Sequence, residues 1–142
     1  MKKIVLVFLL LVSIFALSAC TEAEGATSSD GIIEIGERFF ITQMTEIFLN
    51  HNRYLGRTIR YEGMFRTASF AGEDFSIVYR NALGCCSPNE VIGFEVIMDD
   101  FELFEDNTWV EVTGVLDFDG MFVVVRVTDI IELEERGAEL VF

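Results

Sequence analysis

Lysine is almost missing from this chain of 142 residues: Lys2 and Lys3 are the only two, and eight arginines supply all the positive charge after Cys20. Against them stand 24 acids, none of which precedes Cys20, so residues 20–142 carry a formal charge of −16 against −14 for the whole chain. Such a surface repels phosphate backbones and anionic headgroups alike, which excludes nucleic acid as a sequence-independent partner. His51 is the only histidine, so a Ser-His-Asp or Cys-His catalytic arrangement would have to use it. It stands among Asn50, Asn52 and Arg53 with no activating residue beside it in sequence, and reads first as a surface histidine. A Gly-rich phosphate loop, HExxH and CxxC are all absent, and the chain reads as non-enzymatic. Pro88 is the only proline, and it interrupts none of the periodic segments.

What is present begins with an address. Lys2 and Lys3 precede an apolar run of 14 residues, Ile4 to Leu17, which is followed by Leu17-Ser18-Ala19-Cys20. The run is too short for a membrane span of about 20 residues, and no stop-transfer pattern follows it, so residues 1–19 read as a cleaved signal peptide. Leu17 to Cys20 resembles the bacterial lipobox. That resemblance implies a diacylglycerol-modified Cys20 as the first mature residue, with further acylation such as palmitate, and a protein held on the extracytoplasmic face of the cell membrane. Two or more acyl chains give an anchor that one chain does not. The small, polar residues of 20–30 read as a flexible tether, and 31–142 as the folded domain.

Within that domain, Phe40, Met44, Ile47 and Phe48 recur at helical spacing and predict an α-helix over about Glu37 to Asn50. After Gly56 the period becomes two. Thr58 to Arg66, Phe75 to Arg80, Val91 to Met98, Thr108 to Leu116 and Met121 to Val127 each read as a strand, with Asp119-Gly120 as a two-residue hairpin turn between the last two. Ile59-x-Tyr61-x-Gly63 and Val110-x-Val112-x-Gly114 share a pattern in which an in-strand glycine marks a bulge or tight bend. The fold class expected is mainly β: an OB-fold-like five-stranded barrel preceded by one α-helix. The acidic runs Asp99 to Asp106 and Asp129 to Glu135 read as solvated faces around a few apolar anchors. Without interleaved lysine or arginine, the 14 phenylalanines do not form a strand-binding groove.

Cys85-Cys86 is the one feature that calls for chemistry. With Cys20 lipidated, these are the only thiols left, in a compartment where thiols pair. Adjacent Cα atoms are about 3.8 Å apart, below the usual disulfide range that starts near 4.4 Å, so a Cys85-Cys86 disulfide would be strained and easily reduced. Three readings stand side by side: buried small hydrophobes, a redox-labile vicinal disulfide, and soft ligands for an ion such as zinc. A tetrahedral zinc site wants four ligands, and the sequence offers Cys85 and Cys86, with His51 as a candidate third and Glu90 or another acid as a candidate fourth.

From Ile33 onward the stretches IEIGERFF, TEIFLNHNRYLGRTIRYEGMFR, the Cys-Cys pair followed by VIGFEV, NTWVEVTGVL and VVVRVTDI resemble the C-terminal OB-like domain of the YcgQ-like family of membrane-anchored bacterial proteins. The resemblance implies association with a membrane permease and a link to metal homeostasis, with Cys85 and Cys86 as the residues carried over. Two departures stand out. A lipidation signal replaces the family's transmembrane helices, and Ser87-Pro88-Asn89 follows the pair where the family has small residues and an aspartate. The expectation is a non-enzymatic binding or accessory module of the cell envelope, with a thiol-disulfide module or a purely protein-binding domain as alternatives.

Overall fold

The computed structural model describes residues 31–84, 90–99 and 104–142. The expected signal segment, Cys20, the tether and the pair Cys85-Cys86 lie outside the described residues. Strand β1 (Ile33–Glu34) leads through a 3-10 turn (Glu37–Phe39) into helix α1 (Phe40–Leu49) and a second 3-10 turn (His51–Arg53). Five long strands follow: β2 (Thr58–Phe70), β3 (Glu73–Ala82), β4 (Glu90–Ile97), β5 (Trp109–Phe118) and β6 (Val123–Glu132), and then the short β7 (Leu140–Val141). The protein is mainly β, and the described residues form one α-helix and a seven-stranded sheet.

The helix is shorter than its periodicity predicts. Phe39 leaves α geometry (φ −119°, ψ 21°), so Glu37 to Phe39 wind as a tighter turn. This lets the Glu37 carboxylate accept a hydrogen bond from the Ala138 N–H at 3.0 Å, far along the chain. Phe40, Met44 and Ile47 are buried as the spacing requires, and the Phe48 ring lies 4.7 Å from that of Phe94 on β4.

The strands also depart from expectation, mostly by being longer. The first two extend to Phe70 and back from Glu73 as one hairpin, because cross-strand pairing continues to Phe70↔Glu73. The start of the acidic tail is not merely a solvated run: Asp129 to Glu132 complete β6 by pairing with Thr113 to Val110. The β5–β6 turn has four residues, not two. Asp119 takes the Phe122 carbonyl with its own N–H at 3.2 Å, and its Oδ1 accepts from the N–H groups of Met121 and Phe122, both at 2.7 Å. The two-residue strands β1 and β7 are too short to give a periodic signal.

The long strands pair in a ring. β2 pairs with β3, β3 with β4, β5 with β6 and β5 with β2, all antiparallel, while β4 and β6 pair parallel through Glu95–Ile97 and Val124–Arg126. Inside lie Ile59, Tyr61 and Phe65 of β2, Val78 of β3, Phe94 of β4, Val110, Val112 and Leu116 of β5, and Val125 of β6, with α1 packed against them. Each such side chain contributes about 1.5–3 kcal/mol by leaving water. A second cluster forms on the outer side, where Met64, Tyr79 and Trp109 are covered by Ile77 and Leu133.

The alternating directions gather the turns at two ends. The start of β2, the end of β3, the start of β4 and the β5–β6 turn share one end, called proximal here because β1 runs parallel to β2 (Ile33↔Ile59) and brings the chain in beside Thr58. The β2–β3 turn marks the distal end.

The in-strand glycines have two different jobs. Gly114 sits at a register shift between Thr113 and Gly114, a bulge, and a Cβ there would fall 2.5 Å from the Arg126 carbonyl oxygen. Gly63 stays in register with Val110 but lets β3 approach, since a Cβ would lie 2.7 Å from the Tyr79 oxygen. Both contacts are with backbone, which cannot swing aside. Gly114→Ala is therefore expected to destabilise by about 1–3 kcal/mol. Gly36→Ala, with open space around its Cβ and an ordinary φ of −80°, should leave thermal denaturation nearly unchanged.

Candidate functional site

The proximal end carries the residues that the sequence singles out. Asn81↔Val91 and Ala82↔Glu90 are the last pairs of the β3–β4 hairpin before the turn that contains Cys85 and Cys86. Beyond Ala82, a Cβ on Gly84 would coincide with the Glu90 carboxyl group, so that carboxylate is packed directly on the Gly84 backbone, at the neck of the turn. On the other edge of β3, β7 pairs Leu140 with Asn81 and Val141 with Ala82. This register puts Val91 and Leu140 beside Asn81 on one face, and Leu83, Val91, Leu140 and Phe142 are all exposed.

His51 stands at the same end, on the exit of α1. Its ring stacks on Phe118 with centroids 5.4 Å apart and planes 15° from parallel, and Nδ1 is 3.4 Å from the Phe48 carbonyl oxygen. A proton on Nδ1 donated to that carbonyl leaves Nε2 as the ring nitrogen open to another partner. Among the described residues no three His, Cys, Asp or Glu side chains group in a way that would hold a metal ion.

Next to the β5–β6 turn, two carboxylates are strongly held. Asp117 accepts from Arg126 Nε at 2.6 Å and from the Phe118 N–H at 2.8 Å, and the Arg126 hydrogen bond above all keeps its pKa below the ordinary 3.8. The Phe122 and Met121 N–H groups lower that of Asp119 in the same way. Glu95 of β4 moves in the opposite direction, raised by burial first and then by the charge of Asp119.

Sequence reasoning missed the most buried charge. Arg80 is 2% exposed and lies between two aromatic faces, its guanidinium 4.7 Å from the Phe40 ring centre and 4.9 Å from that of Trp109. Its Nε donates to the Glu62 carbonyl at 2.8 Å and its Nη1 to the Ala138 carbonyl at 3.2 Å, with Glu37 at 3.5 Å and the Glu62 carboxylate at 3.9 Å. Burial pushes the guanidinium below its ordinary pKa, and Glu37 and Glu62 push back. The available signal was position: Arg80 shares its inward parity with Val78 and Ala82 on β3, where a charge demands partners.

Arg80 also floors a cleft of about 170 Å³ whose other charged groups are Glu34, Glu37, Arg60, Glu62 and Glu111. Arg60 donates to Glu34 at 3.2 Å and to the Thr113 hydroxyl at 3.1 Å, and lies 3.8 Å from Glu111. The carboxylates thus have arginine partners, and the cleft is below the roughly 300 Å³ at which small-molecule pockets begin. A more open hollow of about 320 Å³ lies between Glu62 and the segment Leu133 to Gly137. Its charged walls are Glu62, Glu134, Glu135 and Arg136.

Fold and site thus define a small, mainly β domain whose turns converge beside the incoming chain. The chain belongs to the DUF1980 C-terminal domain family, whose model matches residues 16–142. This bears out the resemblance to the C-terminal domain of YcgQ-like proteins. Comparisons with curated proteins and with solved structures gave no match.

Two outcomes follow. Arg80→Leu removes three segments' shared partner and should cost about 3 kcal/mol, read in urea denaturation followed by Trp109 emission. The pH dependence has a definite sign: carboxyls held below their ordinary value stabilise the fold above that value and lose this effect as pH falls through the lowered one. The protection of the Met121 and Phe122 amides against exchange, relative to the intrinsic rate at each pH, should therefore fall in acid, and Asp119→Ala should remove that pH dependence. Glu95→Gln should stabilise at neutral pH, because its raised carboxyl is a burden only when ionised.

Proposed function

We propose that the chain is a lipid-anchored, non-enzymatic binding module of the cell envelope, built on an OB-type barrel, which offers Cys85 and Cys86 to a soft metal ion such as zinc in association with a membrane permease. The barrel reading is supported by the ring order β2-β3-β4-β6-β5 with β4 and β6 parallel, a five-stranded Greek-key arrangement. The anchor rests on Leu17 to Cys20, and the permease on the family resemblance. The non-enzymatic reading is supported by a cleft whose acids are paired with arginines.

The observation that carries the metal reading is the Glu90 carboxylate packed on Gly84 at the neck of the cysteine turn. It supplies a hard donor beside two soft ones, a mixture that zinc accepts. Glu90 is better stationed than His51, whose ring is held by Phe118 and faces the Phe48 carbonyl. Those two thiols and Glu90 make three protein ligands, leaving a fourth position for water or a group from the permease. When bound, zinc would keep both sulfurs as thiolates.

Native mass spectrometry of the reduced, detergent-solubilised chain with added Zn²⁺ tests this. The wild type should retain one ion, Cys85→Ser and Cys86→Ser should release it, and Glu90→Gln should weaken retention. Equal retention by wild type and both cysteine variants overturns the metal role. A metal-free species lighter by two hydrogens would instead support a thiol-disulfide module.

A further inference from the structure

We infer that the proximal end of the domain lies against the lipid bilayer, with Leu49, Phe118, Met121 and Phe122 in contact with its interface. This rests on the anchor reading above and adds to it the face that meets lipid. Phe118, Met121 and Phe122 lie at the β5–β6 turn, and Leu49 ends α1 two residues before His51. His51 stacks on Phe118 and so joins the α1 exit to β5, while the Asp119 N–H bonded to the Phe122 carbonyl folds the turn back beside Phe118. Leu49 is 75%, Met121 73% and Phe122 58% exposed. Apolar side chains this exposed at a turn tip mark a surface that meets an apolar phase or a partner.

The position of the chain's start selects lipid as the occupant. β1 runs parallel to β2, so Gly31 lies beside the beginning of β2. In that register Thr58 pairs with Val115, and Phe118 and the β5–β6 turn come next along β5. Gly31 and the patch therefore share an end. Ten residues lie between Cys20 and Gly31, and the eleven Cα–Cα steps even fully extended span at most about 40 Å. An acylated Cys20 holds this end, not the distal one, against the membrane.

Charge and hydrogen bonding fit the same occupant. At −16 the mature chain gains nothing from anionic headgroups, so attachment beyond the acyl chains must come from apolar contact. A turn that dips into the interface needs its backbone donors satisfied from within. Here the Asp119 carboxylate takes the N–H groups of Met121 and Phe122, which leaves their side chains outermost. Phenylalanine, methionine and leucine at such a tip are suited to the headgroup and acyl boundary. The β3–β4 neck at Ala82 and Glu90 is at this end too, so the cysteine turn springs from the membrane-facing side.

The test uses the full chain, purified from the membranes of a producing bacterium and reconstituted into phosphatidylcholine vesicles with or without brominated acyl chains. Phe122→Trp places a reporter in the patch, Met121→Trp a second one, and Phe70→Trp a control of 77% exposure beside the distal turn. The buried Trp109 gives the same background in all. Brominated lipid should remove most of the added emission of Phe122→Trp and Met121→Trp and leave that of Phe70→Trp intact. Equal quenching of all three, or none in chains that float with the vesicles, overturns the membrane contact while the anchor stands. Failure of the wild type to float overturns the anchor and this inference with it. Shielding of Phe122→Trp from acrylamide that grows with protein density, without quenching by brominated lipid, would assign the patch to a second copy and overturn the assignment to lipid.

Discussion

The structure depends on one buried cation. β2 and β3 pair only from Met64↔Tyr79 onward, and toward the proximal end they part. The opening is filled from both sides, by β1 along β2 and by β7 along β3, and neither two-residue strand would hold its place through its own few hydrogen bonds. Arg80 spans the gap. It binds the β2 backbone at Glu62, the C-terminal segment at Ala138 and the carboxylate of Glu37 ahead of α1, with Phe40 and Trp109 on its two faces. Dehydrating a guanidinium costs several kcal/mol, and only this number of acceptors and aromatic faces offsets it. The same Glu37 carboxylate accepts from the Ala138 N–H, so the start and end of the domain are tied through one side chain.

The long-range parts of this arrangement are the parts the sequence conceals. Period-two alternation revealed all five long strands, and helical spacing revealed α1, because each of those signals lies within a few neighbouring residues. Gly114 announced its bulge for a similar reason. What escaped was set by partners distant in sequence. Glu37 to Phe39 wind tightly because Ala138 and Arg80 draw the Glu37 side chain, about a hundred and about forty residues away. β6 runs on through Asp129 to Glu132 because β5 offers it a partner strand, although the acids there look solvated in isolation. His51 was legible as a residue of the helix exit, but its stacking on Phe118 required two elements to meet.

The ring explains why chemistry-bearing and apolar features collect at one end. Strand directions alternate around β2, β3 and β4, and β6 follows β4, so the β3–β4 and β5–β6 turns must open on the side where β2 begins. β1, parallel to β2, puts the incoming chain there as well. Topology alone therefore places Gly31, the ends of β3 and β4 that flank residues 85–89, and Phe118 and Phe122 at one end. The excess of carboxylates over arginines sets up a repulsion between copies of the chain that offsets the exposed apolar side chains.

The distribution of charge also separates the two chemical readings of Cys85 and Cys86. A thiol becomes a nucleophile or a readily cycled disulfide partner when a nearby cation or helix N-terminus stabilises its thiolate. Between Arg80 and Arg126 the chain has no lysine, arginine or histidine, and Arg80 is committed to Glu37, Glu62 and two carbonyls. The charged group packed on the Gly84 backbone, next to residues 85–89 in the chain, is instead the Glu90 carboxylate. On the reading proposed above, a dication would be held by two thiolates and that carboxylate together, its own charge supplying the stabilisation that no neighbouring cation in the sequence offers.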